Sequence, residues 1–226
     1  MLFSKKCAIG LILLLLVLVA CVPILIANSW QQERRHFRAV REGVFYRSGQ
    51  MTLKGLSRSV HDYGIKSVVT FRASNRSDKP NPDAEEENWC KGEGLKYLRL
   101  APLHWQDSEG GPAPVEENLK KYLDFLSNKS NYPILIHCFA GIHRTGAYCA
   151  IYRMEVEGWD RGRAMNEMKA CGYVTLEENE DILRYLSNYK SGQLRSGLPK
   201  LSIGSTPLWP YGNLSPGEKT ESGVKQ

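Results

Sequence analysis

Hydrophobic and polar positions along this chain fall into three regimes. Cys7 to Ala27 is an apolar run of 21 residues without a charge, long enough to cross a bilayer as a helix. From Phe37 to Tyr189 short apolar runs alternate with segments whose apolar residues recur at helical spacing. From Ser191 to Gln226 that pattern fails, and ten of the 36 residues are Gly or Pro.

The middle regime predicts strands at Val44–Ser48, Ile65–Ala73, Leu95–Leu100 and Ile134–His137, where β-branched and aliphatic residues are bounded by turn formers. Helices are predicted between and after them. One runs from an N-cap at Thr52 to Tyr63, with Gly64 closing it; another spans Ala84–Gly92. A third starts at Val115 and places Leu119, Tyr122, Leu123 and Leu126 on one face. The last three start at Arg144, closed by Gly158; at Asp160, as cap, to Cys171; and at Thr175, as cap, to Tyr189. Strands alternating with helices in this order predict an α/β domain with a mostly parallel central sheet flanked by helices, preceded by an N-terminal transmembrane helix.

The expected organisation is a basic flank at 1–6, a transmembrane anchor at 7–27, a basic juxtamembrane linker at 28–36, a folded domain at 37–190 and a disordered tail at 191–226. A cleaved signal peptide would have a shorter apolar core and a small-x-small site. The lipobox-like Leu18–Cys21 is followed by apolar rather than polar residues. An uncleaved single-pass anchor is the reading retained. Lys5 and Lys6 on one side nearly balance Arg34, Arg35, Arg38 and Arg41 on the other, so charge does not orient it.

Composition changes this picture in two places. Residues 31–60 carry seven Lys or Arg against two Glu, a basic stretch able to lie on anionic lipid or to act as a solvated linker. The six cysteines include two in the anchor, and the rest are widely spaced, which is no disulfide framework. No nucleic-acid partner is expected.

The candidate chemistry lies in His137–Gly146, "HCFAGIHRTG". A loop between a buried strand and a helix N-terminus aims backbone N–H groups and partial positive charge at an anion. Gly141 and Gly146 let that loop curl, and Arg144 adds a planar fork suited to two phosphoryl oxygens. The same field favours the thiolate of Cys138, which makes it a nucleophile aimed at phosphorus. A metal site through His137, Cys138 and His143 fits less well, because strand neighbours point to opposite faces and no second cluster completes it.

These residues match the His-Cys-x5-Arg-Ser/Thr signature, and the chain resembles the cysteine-dependent protein tyrosine phosphatase superfamily, in particular its compact bacterial dual-specificity branch. "GVFYRSGQ", "GIKSVVTFR" and "YRMEVEGWDRGRAMNEM" extend the resemblance over Phe37–Tyr189. It implies that Cys138 is the nucleophile, Arg144 the phosphate clamp, His137 a support for the loop and the cysteine's ionisation, and Thr145 the hydroxyl that helps the cysteine leave. Phe139, Ala140, Gly141, Ile142 and His143 then line the substrate, and no cofactor or metal is needed. The family also requires a general acid. Asp107, 31 residues before Cys138 in "WQDSEGGP", resembles the acid of the mobile Trp-Pro-Asp loop, with Gln106 where proline is usual; Glu109 and His104 are the other candidates. The resemblance therefore implies a phosphatase of phosphotyrosine, with phosphoserine/threonine as a further candidate, and a phosphorylated protein, or else a phospholipid, as partner; together with the apolar run at 7–27, which lies outside the resemblance, the expectation is a membrane-anchored one. A phosphoinositide or other non-protein phosphomonoester phosphatase and a non-catalytic phosphate-binding module are the alternatives. The loop has no lysine, which argues against a polyphosphorylated inositol.

Overall fold

The computed structural model describes residues 5–192, Asn75 and Ser77 excepted, without the side chains of residues 5–9, 24, 26–28 and 30. Residues 1–4 of the basic flank and 193–226 of the expected tail lie outside the described residues.

Five strands form one sheet in the order β1-β2-β5-β3-β4. These are β1 (Arg38–Arg41), β2 (Phe45–Ser48), β3 (Ser67–Thr70), β4 (Lys96–Arg99) and β5 (Ile134–His137). Only β1 runs antiparallel; β5 pairs in parallel with β2 on one side and β3 on the other. The mostly parallel α/β sheet is therefore as expected. The edge strand β1 was not, because its sequence "RAVR" has charged ends and too short an apolar run to read as a strand.

Side-chain alternation in the central strands builds the core on both faces. Phe45, Val69, Ile134 and Ile136 join the larger cluster with α4 (Val115–Ser127), α5 (His143–Glu155), α6 (Arg161–Ala170) and α7 (Glu180–Asn188). Tyr46, Val68 and Leu135 face the smaller one, with α2 (Leu53–Tyr63) and α3 (Ala84–Gly92). Each fully buried aliphatic side chain contributes roughly 1.5–3 kcal/mol. Helix α5 is held on the sheet by ring stacks of Phe45 on Tyr152 and Phe71 on Tyr148, both with centroids 4.0 Å apart.

Two caps behave as expected. Thr52 Oγ1 accepts from Gly55 N at 3.1 Å and Asp160 Oδ1 from Arg163 N at 2.8 Å. Thr175 does not cap α7. It leads into a single 3-10 turn, Leu176–Glu178, and Asn179 then turns the backbone, donating its side-chain amide to Thr175 O at 2.8 Å. The helix starts only at Glu180.

Helix α1 (Lys5–Glu33) runs through the segment read as an anchor and into the expected linker. Among the described residues no helix is long and apolar enough to cross a membrane, so the expected transmembrane helix is not supported there. The side chains of residues 7–9, 24, 26 and 27 in that span lie outside the description. The end of α1 is clamped to α2: Glu33 pairs with Lys54 at 2.8 Å and Arg58 at 3.1 Å, and Arg34 with Asp62 at 2.7 Å.

Candidate active site

In open parallel sheets ligands collect at the carboxyl ends of the strands, where the strand order reverses. Here Ser48, Thr70 and His137 end their strands at one level, and the loop 138–142 leaves β5 from the middle of that edge. Cys138 is buried on the floor of the loop, and its Sγ accepts a hydrogen bond from Gly141 N at 3.3 Å. Gly141 has φ +75°, and a Cβ there would come within 2.5 Å of Ser48 C and 2.6 Å of Ser48 O. Only glycine lets the loop turn at that point and lie on β2.

The loop is pinned from outside by groups that sequence reading did not find. Arg47, on β2 and almost fully buried, donates Nη2–H to Gly141 O at 2.8 Å. Gln50 N donates to Phe139 O at 2.9 Å, and His36 Nδ1 lies 2.7 Å from Ala140 O. Their signal was positional: Arg47 and Gln50 sit at or just beyond the end of β2, on the same edge as Cys138.

His137 ends β5 facing away from the loop. Its Nε2 is 2.7 Å from Glu86 Oε1, with both side chains buried. Glu86 also accepts from Tyr97 Oη at 2.9 Å and from Gln50 Nε2 at 2.7 Å. Burial alone would raise the Glu86 carboxyl, but the His137 ring and the Tyr97 hydroxyl hold it below the usual range. Asp83 adjoins it, opposed by burial yet lowered by Thr70 and Arg99. Asp83, Glu86 and His137 bring ligand-type atoms within 4.8 Å of one another. Thr70 donates to Asp83 at 2.6 Å and Arg99 also pairs with it, so these oxygens belong to a hydrogen-bonded network that supports the base of β5. Through Glu86, His137 is tied to that network at the end of β5.

Arg144 stands exposed in the first turn of α5 and donates Nη1–H to Phe71 O at 2.9 Å. Its remaining N–H groups are available to a guest. Thr145 is fully buried, and its hydroxyl has no protein hydrogen-bond partner; an unmet buried hydroxyl costs about 1–3 kcal/mol. Phe139 is exposed, Ala140 and Ile142 are half-buried, and His143 is exposed with its ring edge-on to Tyr173 at 4.6 Å.

Asp107 is not in the cradle. Its Oδ2 accepts from Gly111 N at 2.5 Å, and it lines a recess with Gln106, Pro112, Arg184 and Tyr185. Trp105, buried against Tyr148 and Tyr185, anchors the loop at its start and borders the small gap beside Arg144. Glu109 and His104 are exposed.

A family profile described as "DSP-PTPase phosphatase fused to NAD+ Kinase" matches residues 22–183 of this geometry. The chain belongs to this family. As a dual-specificity-type phosphatase domain it is similar to the putative tyrosine-protein phosphatase OCA1 of Debaryomyces hansenii, at 27% identity over 129 residues, 57% of this chain and 63% of that protein. It is also similar to the dual specificity protein phosphatase TpbA of Pseudomonas aeruginosa, at 41% identity over 66 residues, 29% of this chain and 28% of that one. The chain spans less than two thirds of either relative. Among solved structures, the core catalytic domain of the PP-IP phosphatase SIW14 from S. cerevisiae superposes with TM-score 0.54 at 22% identity, over 71% of this chain and 88% of that one. P. aeruginosa TpbA does so with TM-score 0.52 at 22% identity, over 70% and 93%. At these identities the superpositions establish the shared fold.

Proposed function

We propose that the protein is a cysteine-dependent phosphatase that hydrolyses phosphotyrosine and phosphoserine/threonine monoesters through a phosphocysteine intermediate. One observation carries the reading: the Cys138 sulfur, at the end of the central strand, takes an N–H from the loop curled over it, with Arg144 at the far end of that loop.

In the first step the thiolate attacks phosphorus, the P–S bond forms, and the ester P–O bond breaks as its oxygen gains a proton. In the second, water attacks phosphorus, the P–S bond breaks and inorganic phosphate leaves. Arg144 and the loop N–H groups hold the charge on the equatorial oxygens throughout. Thr145, whose hydroxyl is unpartnered in the resting site, donates to the departing sulfur. Asp107 gives the proton in the first step and takes one from water in the second. For that it releases Gly111 and swings into the cradle about Gly110 and Gly111; Glu109 and His104 are the alternative acids.

Hydrolysis of a small aryl phosphate in the presence of a chelator tests this reading. Wild type turns it over with vanadate sensitivity and Cys138→Ser does not. A folded wild type without turnover leaves a phosphate-binding module instead. Asp107→Asn is expected to slow poor leaving groups most; an unchanged pH–rate profile moves the acid to Glu109 or His104.

A second reading is an inositol-phosphate or phosphoinositide substrate. A relative 24% identical over 158 residues, 70% of this chain and 71% of that protein, is named inositol diphosphatase DSP5 of Arabidopsis thaliana. We also propose that α1 inserts in a membrane. Leu11 to Val19 present apolar side chains 47–71% exposed, an extended patch of the kind that marks a membrane or protein contact. Flotation with liposomes that is abolished by Leu14→Arg with Leu18→Arg supports insertion; flotation unaffected by that pair refutes it.

A further inference from the structure

Phe139, the residue after the nucleophile, holds its ring at the surface, 57% exposed. Two guanidiniums lie over that ring. Arg35 Cζ lies 4.6 Å from its centroid and Arg72 Cζ 5.3 Å. A ring face attracts one cation, but two cations at the same ring repel each other, and an anion within reach of both relieves that repulsion.

Neither guanidinium has a carboxylate partner among the described residues. Arg35 donates to Phe139 O at 3.5 Å and Arg72 to Gln50 Oε1 at 2.6 Å, both neutral acceptors. Arg34, Arg58, Arg76 and Arg99 each pair with an acid. The two rim arginines are also held in place. Arg35 O accepts from Gly49 N at 2.7 Å, directly beside the loop. Gln50 spans Arg72 and the buried Glu86, donating to the latter at 2.7 Å.

We propose that Arg35 and Arg72 form a second anion subsite beside the Cys138 cradle, which takes a further phosphate group carried on the same small scaffold as the scissile one. The subsite rests on the phosphatase reading for its neighbour and names the substrate class for it. The catalytic loop has no lysine of its own, and the charge comes instead from Arg72, just past the end of β3, and from Arg35, in the segment after α1.

The test compares phenyl phosphate with ortho-phenylene bisphosphate, which share an aryl leaving group and differ by one vicinal phosphate. The ratio of their kcat/KM values is the readout. Wild type favours the bisphosphate, and Arg35→Gln or Arg72→Gln lowers the ratio about tenfold, the scale of one charge-assisted hydrogen bond. Arg35→Lys restores part of it. Ratios unchanged in both variants, or both substrates falling by one common factor, overturn the subsite. If folded wild type hydrolyses neither compound, the phosphatase reading fails; the subsite is then read from the Kd of each compound for Cys138→Ser protein, with the same tenfold loss of preference expected. A further pair of arms separates the sources of such a substrate. Phosphatidylinositol bisphosphate in phosphatidylcholine vesicles and its soluble head group are each assayed with wild type and Arg35→Gln. Sensitivity with vesicles alone assigns a lipid, sensitivity with both assigns the head group itself, and sensitivity with neither overturns the proposal.

Discussion

Gly141→Ala separates backbone strain from damage to the catalytic loop, because Gly158 supplies a matched control. Both glycines are left-handed, at φ +75° and +71°, and an alanine there costs about 1–2 kcal/mol from the dihedral alone. Around Gly158 nothing lies within 4 Å of an added Cβ, whereas at Gly141 the methyl would meet Ser48 C and O at 2.5 and 2.6 Å. Those atoms belong to β2, which is paired to β5 along its length, so the loop rather than the sheet must give way. The shift needed to restore ordinary contact is about 1 Å, and a misplacement of that size costs on the order of 100-fold in rate. Gly158→Ala is therefore expected to lower Tm by about 2–6 °C with kcat/KM for an aryl phosphate within a factor of two. Gly141→Ala is expected to lower Tm at least as far and kcat/KM about 100-fold. Thermal melts and steady-state kinetics on both proteins check this. A folded Gly141→Ala enzyme within threefold of wild type, or an equal rate loss in Gly158→Ala, would refute the reasoning.

Arg153→Met should lower Tm by about 6–15 °C with kcat largely retained in the folded fraction, because it strands Glu167 and Glu157, each paired with the buried guanidinium. Glu86 and Asp83 have folded-state affinities for protons below their unfolded ones. Their contribution is thus full above the unfolded values of 4.5 and 3.8 and is lost as pH falls through the lower folded values. Urea midpoints should be flat above about pH 5 and fall below pH 4.5, and Glu86→Gln should flatten that fall; an unchanged slope counts against the network. Burial pushes Cys90 and Cys149 up to about 12. Iodoacetamide at pH 7 followed by peptide mapping should therefore mark Cys138 and spare both, and early labelling of Cys149 contradicts the packing of α5.

The sheet and the nucleophile loop were legible in the sequence because they are written locally. "ILIHC" is a short buried strand, Gly141 marks a turn, and α5 begins where the periodicity changes. The caps at Thr52 and Asp160 were legible for the same reason. The strand β1 and the late start of α7 were not, since "RAVR" owes its pairing to β2 and Asn179 owes its turn to a contact with Thr175. The groups around the loop were hidden by distance along the chain. Arg47 and His36 reach carbonyls 94 and 104 residues away, and nothing local distinguishes them from solvated polar side chains. Asp107 is the converse case: its sequence context named a role, and the resting structure shows the carboxylate occupied by Gly111.

The segment between α1 and β1 bears on how this protein is best prepared. His36 takes a left-handed backbone, φ +50°, to bring its ring onto Ala140 O, and the preceding residue's carbonyl holds Gly49. A version trimmed to begin at Phe37, the expected start of the folded domain, would keep Cys138 and discard the His36 and Arg35 contacts that hold its loop. If Arg35 forms the proposed subsite, the trimmed protein is expected to hydrolyse simple aryl esters while losing the preference for a second phosphate that Arg35 confers.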